Sequence, residues 1–393
     1  MAITPEQRQW LALKMIPGVG TTLFIRLLAR YGAPADVLAA SEASLREVVG
    51  PKLAERIHAY RDVVDVDGQI ARMEEYGAAL YTMDETAYPL LLAEIYDPPL
   101  VLFARGDLVE ADRHAVAIVG TRRSTPYGAR MARSLAYDLA ARGITVVSGM
   151  AEGTDTAAHE GALEAGGRTI AVLGCGVDVV YPASNAALMH RIVQRGAVVS
   201  CFEMGVKPSK GHFPYRNRII SGLSMGTVVV EAPVGSGALI TARNAAEQGR
   251  EVFAVPGEAG SYNARGPHAL IREGAKLVET VDDILVELDL EASARQAPAA
   301  RKTPESAPVP ARPASTTAAP QPFAAATAAP PTPRPNITPV EQAVLDVLHR
   351  DGSFVDEIAA AARLSVSEAL TSLTMLELKG LIRQLSGKRF APR

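Results

Sequence analysis

The sequence predicts an α/β fold with three parts: a Rossmann-like core built on a mostly parallel sheet, an N-terminal helical domain of the helix-hairpin-helix (SAM-like) type, and a C-terminal winged-helix domain. The core is predicted by apolar runs of buried-strand length, each ending in a Gly- or Pro-bearing turn and most followed by a helical stretch. The runs are AVAIVG (115–120), ITVVSG (144–149), TIAVLG (169–174), TVVVEAP (227–233) and EVFAVPG (251–257).

Length and charge limit the classes of protein to be considered. The length of 393 residues fits two or three domains. With 40 basic and 43 acidic residues the net charge is −3, which argues against a histone-like protein with a generally adhesive surface and leaves a local basic patch open. No signal peptide and no apolar run near the roughly 20 residues of a membrane helix is found, so we expect a soluble cytoplasmic protein. Cys175 and Cys201 lack metal-ligand spacing and are expected to be buried thiols in a reducing compartment.

Residues 1–75 are predicted to form the helical domain. Thr4-Pro5 supplies an N-cap and a first-turn proline, and the run from Ile16 to Gly20 (IPGVG) separates two helical stretches. This helix, glycine turn, helix order is typical of a helix-hairpin-helix, whose turn presents backbone N–H groups to a phosphate. A plain turn within a small helical bundle is the alternative, and both stay open.

Residues 76–290 are predicted to form the Rossmann-like domain. Short strands are expected at LYTM (80–83) and LVLFARG (100–106), ahead of the five longer runs. The carboxyl ends of parallel strands line one crevice of an open sheet, where ligands bind. The expected helices are Tyr127–Arg142, Asp155–Ala165, Pro214–Leu223, Ala238–Gln248 and Val281–Leu288.

The C-terminal part changes in composition. Of the 45 residues 291–335, 15 are Ala and 11 are Pro, which predicts a linker. Residues 336–393 show three helical stretches and a hairpin, the order of a winged helix. Its third helix, 366–379, carries Glu368 and Glu377 against Lys379, a net charge of −1. This favours protein contact or dimerisation over DNA reading, with DNA reading left open.

The first candidate site is the turn after the strand 115–120. Gly120 permits a tight turn, and Thr121, Arg122, Arg123 and Ser124 follow it. Guanidinium groups match phosphate oxygens in a bidentate manner, so two arginines and two hydroxyls at a strand end predict a phosphate contact. The alternative is that these are ordinary surface arginines.

The second candidate site is a cluster of basic and aromatic residues. Cations follow a nucleic-acid backbone while aromatic rings stack on bases, so interleaving the two favours a single strand. Pro214 is predicted to be the first residue of a helix whose dipole attracts an anion. The alternative places Phe213 in the core and pairs Arg216 or Arg218 with a local carboxylate. The members of the cluster are Lys207, Lys210, His212, Phe213, Tyr215, Arg216, Asn217 and Arg218.

Two further turns are candidate anion loops: Ser148 with Gly149, and Gly235-Ser236-Gly237 at the start of a helix. His159 follows the first of them, and a general base there needs an orienting acid such as Glu152 or Asp155. A structural, hydrogen-bonded histidine is the favoured interpretation. No P-loop lysine motif follows any strand, which argues against ATP hydrolysis. The seven histidines are scattered along the sequence and no carboxylate cluster adjoins them, so no metal site is predicted, and neither is a catalytic residue or a cofactor.

These motifs together resemble the DNA-processing protein A (DprA/Smf) family, notably over residues 80–290. The stretches that carry the resemblance are AIVGTRRSTPYG, VVSGMAEGTDTAAHEGAL, GHFPYRNRIISGLS, EAPVGSGALITARNAAEQGREVFAVPG and GPHALIREG. The resemblance implies sequence-independent binding and protection of single-stranded DNA, loading of the RecA recombinase during natural transformation, homodimerisation, and no catalytic activity. By motif, it implies DNA contacts for Arg122, Lys210, His212, Phe213, Arg216 and Asn217.

Two other classes of protein are weighed against this. A Rossmann-like phosphoribohydrolase acting on a nucleotide would use a Pro-Gly-Gly-x-Gly-Thr loop and a glutamate, which the run from Glu231 to Gly237 matches in part. A DNA-dependent regulator would act through the winged helix. The number of cations over 207–218 favours a polyanion over a mononucleotide. We expect Arg122→Glu and Arg216→Glu to weaken single-strand binding with the fold intact.

Overall fold

The computed structural model describes residues 3–290, 338–349 and 353–362, with shorter stretches between 364 and 392. The chain divides into two compact units, Met1–Glu305 and Ser306–Arg393. The linker predicted over 291–335 lies outside the described residues and stays a prediction. Within the described parts of the chain, no helix is long and apolar enough to cross a membrane.

A nine-stranded sheet organises the first unit, in the order β1-β2-β6-β5-β4-β3-β7-β8-β9. The strands from β3 onward pair in parallel, while β1 with β2 and β2 with β6 are antiparallel. The mostly parallel Rossmann-like core is therefore confirmed. The strands are β1 (Ala78–Thr82), β2 (Val101–Gly106), β3 (Ala115–Val119), β4 (Thr145–Ser148), β5 (Thr169–Val172), β6 (Ala197–Ser200), β7 (Gly226–Val229), β8 (Glu251–Ala254) and β9 (Lys276–Leu277).

Helices cover both faces of this sheet, which is why its central strands read as continuous apolar runs. Successive side chains of a strand point to opposite faces, and β3 shows it: Val116 and Ile118 join one core cluster, Ala117 and Val119 the other. The helices are α8 (Leu90–Ala93), α9 (Pro126–Ala141), α10 (Thr154–Glu164), α11 (Ala186–Arg195), α12 (His212–Gly222), α13 (Gly237–Glu247), α14 (Arg265–Arg272) and α15 (Val281–Glu287).

The chain begins with a run of helices, as predicted. Thr4 caps α1 in a reciprocal capping box with Gln7. Gly18 has a φ of +102° in the PGVG turn, a conformation that favours glycine, and Arg56 donates to the Pro17 carbonyl at 3.1 Å. The helices are α1 (Pro5–Met15), α2 (Thr21–Tyr31), α3 (Pro34–Ala39), α4 (Glu42–Val49), α5 (Pro51–His58), α6 (Tyr60–Val63) and α7 (Val66–Tyr76).

These N-terminal helices share one hydrophobic core with the antiparallel edge of the sheet. Trp10 and Leu27 belong to the same buried cluster as Leu80 on β1 and Phe103 on β2. The division at residue 75 therefore separates two sets of elements that are packed together, and it stays a prediction as a domain boundary.

One predicted helix start is wrong. Helix α12 begins at His212, so Pro214 is its third residue and not its first. The N–H groups of a first helical turn have no intrahelical partner, so proline is tolerated throughout that turn and marks the turn, not its first residue.

The second unit contains elements of the predicted winged helix. They are α16 (Pro339–Asp346), α17 (Val355–Ala362), β10 (Ser353–Phe354), β11 (Ile382–Leu385) and β12 (Arg389–Pro392). The strands form one antiparallel sheet in the order β10-β12-β11, with β11 and β12 as the hairpin. The third helix predicted over 366–379 lies largely outside the described residues, as do Glu368 and Glu377.

Candidate nucleic-acid interface

The sheet has a topological switch point at β3. From β3 the chain runs through β4, β5 and β6 on one side, then returns to β7 and β8 on the other. The loops after β3 and β7 therefore diverge, which opens a crevice beyond the carboxyl ends of the strands. This crevice has a volume of about 620 Å³ and is open to solvent. Its lining includes Gly120, Thr121, Arg122, Arg123, Ala151, Asp155, Tyr181, Lys210, Phe213, Pro214, Arg216, Asn217, Ser236, Gly237 and Thr241.

The turn after β3 is fixed by its neighbours. Gly120 is required because a Cβ there would lie 2.4 Å from the Thr154 hydroxyl oxygen. The Thr121 N–H donates to the Glu231 carbonyl at 2.7 Å, and the Thr121 carbonyl accepts from the Thr154 N–H at 3.3 Å. The backbone of the turn is thus tied to both flanking loops. The side chains of Arg122 and Arg123, the residues next in the chain, remain exposed.

Arg122 and Phe213 form the centre of the crevice. The Arg122 guanidinium lies over the Phe213 ring, 5.2 Å from its centroid. The Tyr181 ring lies beside Phe213, with 5.5 Å between centroids. The sequence predicted Arg122 and Phe213 together, and the structure places them in contact. An exposed cation against aromatic rings can hold a phosphate while a ring stacks on a base.

Arg216 is buried under the crevice surface and fixes the backbone of two neighbouring segments. Its side chain is 5 % exposed, and Nη1 donates to the carbonyls of Gly149 and Val172. Gly149 separates Arg216 from Asp155, because a Cβ on it would lie 2.7 Å from Arg216 Nη1 and 2.8 Å from Asp155 Oδ2. Burial raises the pKa of Asp155 to about 6 and lowers that of Arg216 to about 10, while each charge opposes the shift in the other.

The remaining predicted groups at the crevice are a lysine, an amide and a helix start. Lys210 is exposed at its edge. Asn217 donates to the Gly237 carbonyl at 3.1 Å, which fixes α12 to the start of α13. Ser236 caps α13 by accepting from the Ala238 N–H at 3.3 Å. Ser236 and Gly237, at the start of α13, line the same crevice as Arg122, so the positive end of this helix dipole faces that space.

Several predicted residues lie elsewhere. Ser148 is buried and donates to the Ile118 carbonyl at 2.6 Å, and the Gly149 N–H donates to Asp155, so neither donor is available to a phosphate. Arg218 is stacked over Tyr215 at 4.2 Å and paired with Asp97 at 3.4 Å. These contacts agree with the alternative that pairs Arg218 with a carboxylate, and a role for Arg218 in DNA binding stays a prediction.

Three more predicted residues fall outside the crevice lining. His212 stacks on Phe202, with 4.2 Å between ring centroids, and its Nδ1 lies 3.2 Å from the Gly174 carbonyl. Lys207 and Gly235 are exposed nearby. Their roles in binding stay predictions.

The residues considered for catalysis are held in structural contacts. His159 is fully buried with Nδ1 2.7 Å from the Thr169 hydroxyl, and because that hydroxyl donates to Val146, Nδ1 carries the proton. Burial lowers the pKa of His159 to about 3. Both carboxylate oxygens of Glu231 accept from Thr125, one from its N–H at 2.8 Å and one from its hydroxyl at 2.6 Å.

Both cysteines lie in the part of the chain that the structure describes. Cys175 and Cys201 are both buried and unpaired, as predicted, and burial raises the pKa of each thiol to about 11. No group of His, Cys, Asp or Glu residues in the described parts of the chain has the geometry of a metal site.

Sequence reasoning missed Tyr181 as part of the site. It lies in the long loop between β5 and α11, and 38 % of its surface is exposed. An aromatic residue in a loop that follows a parallel strand is the signal that points to it. Asp155 was considered only as a helix cap and a catalytic partner, whereas it faces the buried Arg216.

The fold and crevice define a class: a Rossmann-like protein with an exposed cation-and-aromatic crevice at its switch point, preceded in the chain by a helical module and followed in the chain by a winged-helix module. Family models agree with each part. The model described as DNA recombination-mediator protein A matches residues 79–289, a SAM-like helix-hairpin-helix tandem matches 11–59, and the DprA winged-helix domain matches 325–388. The helix-hairpin-helix and winged-helix predictions are thereby confirmed.

Individual relatives and a solved structure also show similarity to this chain. Protein Smf of Synechocystis is 34% identical over 99% of this chain and 99% of its own length. DNA processing protein DprA of Bacillus subtilis is 43% identical over 56% of this chain and 74% of its own length. The X-ray structure of DprA from Streptococcus pneumoniae has a TM-score of 0.64 and 36% identity, covering 73% of this chain and 99% of that one. The chain belongs to the DNA recombination-mediator protein A (DprA/Smf) family, which gives it a role in DNA processing.

Proposed function

We propose that this protein binds single-stranded DNA across the crevice at the switch point. The observation that carries the proposal is the exposed Arg122 stacked on Phe213, with Arg123 and Lys210 on the same surface. None of these three cations takes part in an ion pair with a described residue. Unpaired cations beside an aromatic ring suit a polyanion that carries flat bases.

A single strand fits this surface better than a duplex. Phe213 offers a ring on which an unpaired base stacks, and such stacking contributes about 1–3 kcal/mol per base. In a duplex the bases are already stacked on one another and only the backbone reaches the protein. The gain from Phe213 and Tyr181 is therefore restricted to unpaired strands.

Binding without sequence preference follows from which donors are already used. Asn217 donates to the Gly237 carbonyl, the Thr121 N–H to Glu231, and the Ser148 hydroxyl to Ile118. These polar groups are committed to the protein, which leaves Arg122, Arg123 and Lys210 as free donors, and we assign these three to phosphates. Stacking and phosphate contacts tolerate every base.

We propose that the crevice binds DNA and does not catalyse a reaction on a nucleotide. A phosphoribohydrolase needs a free glutamate, whereas Glu231 is 5 % exposed and accepts two hydrogen bonds from Thr125. A Cβ on Gly128 would lie 2.3 Å from Glu231 Oε2, so backbone also closes off this carboxylate. His159, the other candidate base, is fully buried, with its Nδ1 2.7 Å from the Thr169 hydroxyl.

The wider role we propose is protection of single strands and their transfer to a RecA-type recombinase during DNA uptake, by a homodimer in the cytoplasm. Membership of the recombination-mediator family supports this role. It is tested by measuring recombinase filament growth on single-stranded DNA with and without the protein, and by sedimentation for the oligomeric state.

The binding proposal is tested with Arg122→Glu and a matched control, Arg61→Glu. Arg61 is also exposed and lies over a tyrosine ring, 5.6 Å from the Tyr60 centroid, but on the N-terminal helices. Fluorescence anisotropy with a labelled oligo-dT should show at least about tenfold weaker binding for Arg122→Glu, because a phosphate contact becomes a repulsion. Equal affinities for both variants would remove Arg122 from the site.

A further inference from the structure

The loop between β8 and α14, residues 255–264 and here named the β8 loop, lies directly against the crevice. Asn263 Nδ2 donates to the Arg123 carbonyl at 3.3 Å. The Asn263 carbonyl in turn accepts from the Ala232 N–H at 2.8 Å, at the end of β7. The β8 loop is thus attached to the loops that follow β3 and β7.

The β8 loop is held in one shape by local contacts. A Cβ on Gly257 would lie 2.7 Å from the Ala264 Cβ, so the two ends of the loop are in close contact. The Ser261 N–H donates to the Glu258 carbonyl at 3.0 Å, and the Gly257 N–H donates to His268 Nε2 at 3.3 Å. A side chain displayed by this loop is therefore pre-positioned, which lowers the entropy lost on binding.

The β8 loop displays an aromatic ring with a cation, like the centre of the crevice. Tyr262 is 63 % exposed, and the Arg265 guanidinium lies 5.8 Å from its ring centroid. Arg265 is exposed and forms no ion pair with the residues the structure describes. Glu258 is the exposed acid of this loop, and it forms no ion pair with Arg265 either.

This arrangement repeats the Arg122–Phe213 pair, whose separation is 5.2 Å. Arg123 lies between the two pairs, since its carbonyl accepts from Asn263 and its chain neighbour is Arg122. Two cation-and-ring pairs are thus connected through the Asn263–Arg123 hydrogen bond, and an exposed cation beside an exposed ring is what a polyanion with stacked bases requires.

We propose that single-stranded DNA continues from the crevice over Arg123 onto the β8 loop, where Tyr262 stacks a second base and Arg265 contacts the adjoining phosphate. This extension rests on the proposed function. It makes the interface longer than the crevice, so that affinity depends on strand length.

The test uses the full-length protein and oligo-dT lengthened one nucleotide at a time from the shortest that binds. Tyr262→Ala and Arg265→Glu should leave binding of the shortest strands unchanged and weaken that of longer strands about tenfold, the equivalent of one stacked base. Tyr262→Trp should restore affinity because it restores the ring. Arg61→Glu controls for the change of charge, and circular dichroism for the fold.

The outcomes separate the extension from the function on which it rests. Loss confined to long strands supports the extension. No loss at any length, or an equal loss with Arg61→Glu, overturns it, while Arg122→Glu still reports on the crevice. Equal losses of affinity for short and long strands would show that Tyr262 and Arg265 do not contact the extended part of a longer strand, and they would also overturn the extension. If Arg122→Glu has no effect either, the proposed function itself fails.

Discussion

Arg122 and Arg216 illustrate how the same residue type serves two purposes on neighbouring elements. Arg122 follows β3 and is exposed above Phe213, so its charge is available to a ligand. Arg216 lies within α12 and is 5 % exposed. Its guanidinium donates hydrogen bonds to two backbone carbonyls and faces Asp155. The first is placed to bind, and the second to hold the β4 and β5 loops in position.

The two arginines should respond differently to replacement by glutamate. From sequence alone both variants are expected to fold, but the structure revises this for Arg216. A carboxylate at 216 would be buried beside Asp155 without a partner, so we expect the free energy of unfolding to fall by about 3–5 kcal/mol. Arg122→Glu should change it by less than about 0.5 kcal/mol. Urea denaturation measures both, and similar values would contradict the assignment.

His159 should make the protein sensitive to acid. Its pKa is lowered to about 3 from an ordinary value of 6.5, so between these values the unfolded chain binds more protons than the folded one. The free energy of unfolding therefore decreases as pH falls through this window. Asp155, with a pKa raised to about 6 from 3.8, acts in the opposite direction between those two values.

The corresponding prediction concerns His159→Gln. Removing the titrating ring should reduce the loss of stability between pH 6.5 and pH 4, and it should expose the opposing contribution of Asp155. Urea midpoints at several pH values measure this, with the exposed His58→Gln as the control. Curves that stay parallel to those of the unmodified protein would show that His159 titrates normally.

At the level of elements, the β3 turn and the start of α9 are joined by Glu231. Thr125 is the N-cap of α9, and its N–H and hydroxyl both donate to this carboxylate at the end of β7. Charge-assisted bonds of this kind are among the stronger ones in proteins. They link the two loops that form the walls of the crevice.

Glu231→Gln should therefore lower the free energy of unfolding, and it should abolish no catalytic activity. Glutamine has one accepting oxygen, so one Thr125 donor would be unpaired or face an NH₂ group, at a cost of about 1–3 kcal/mol. Thermal unfolding checks this against Glu47→Gln on an exposed position of α4. Release of a base from a nucleotide by the unmodified protein, lost in Glu231→Gln, would instead make Glu231 catalytic.

The elements were largely predictable because their signals are local. The β3 strand, the Thr4 cap and the cation-rich turn can be identified from a few adjacent residues. The start of α12 was misplaced because proline is tolerated throughout a first turn. The burial of Arg216 and Ser148, and the approach of Tyr181 to Phe213, depend on contacts between distant segments, which no local pattern encodes.

At the scale of the whole molecule, a net charge of −3 coexists with a cationic crevice. Acidic residues such as Asp178 and Glu203 are paired with cations of the N-terminal helices, whereas Arg122, Arg123 and Lys210 form no ion pair with a described residue. A charge-lined crevice in a low-dielectric wall concentrates an anionic ligand without making the whole surface adhesive. Salt should therefore control binding through a few contacts only.

The most direct test of the account is the salt dependence of oligo-dT binding, measured beside a duplex of equal length and with free mononucleotides as competitors. For strands short enough to occupy only the crevice, with Arg122, Arg123 and Lys210 each contacting one phosphate, the logarithm of the affinity should fall with the logarithm of salt concentration with a slope of about −2. The single strand should bind more tightly than the duplex and resist the competitors. A flat salt response, or displacement of the strand by stoichiometric mononucleotide, would contradict the central claim.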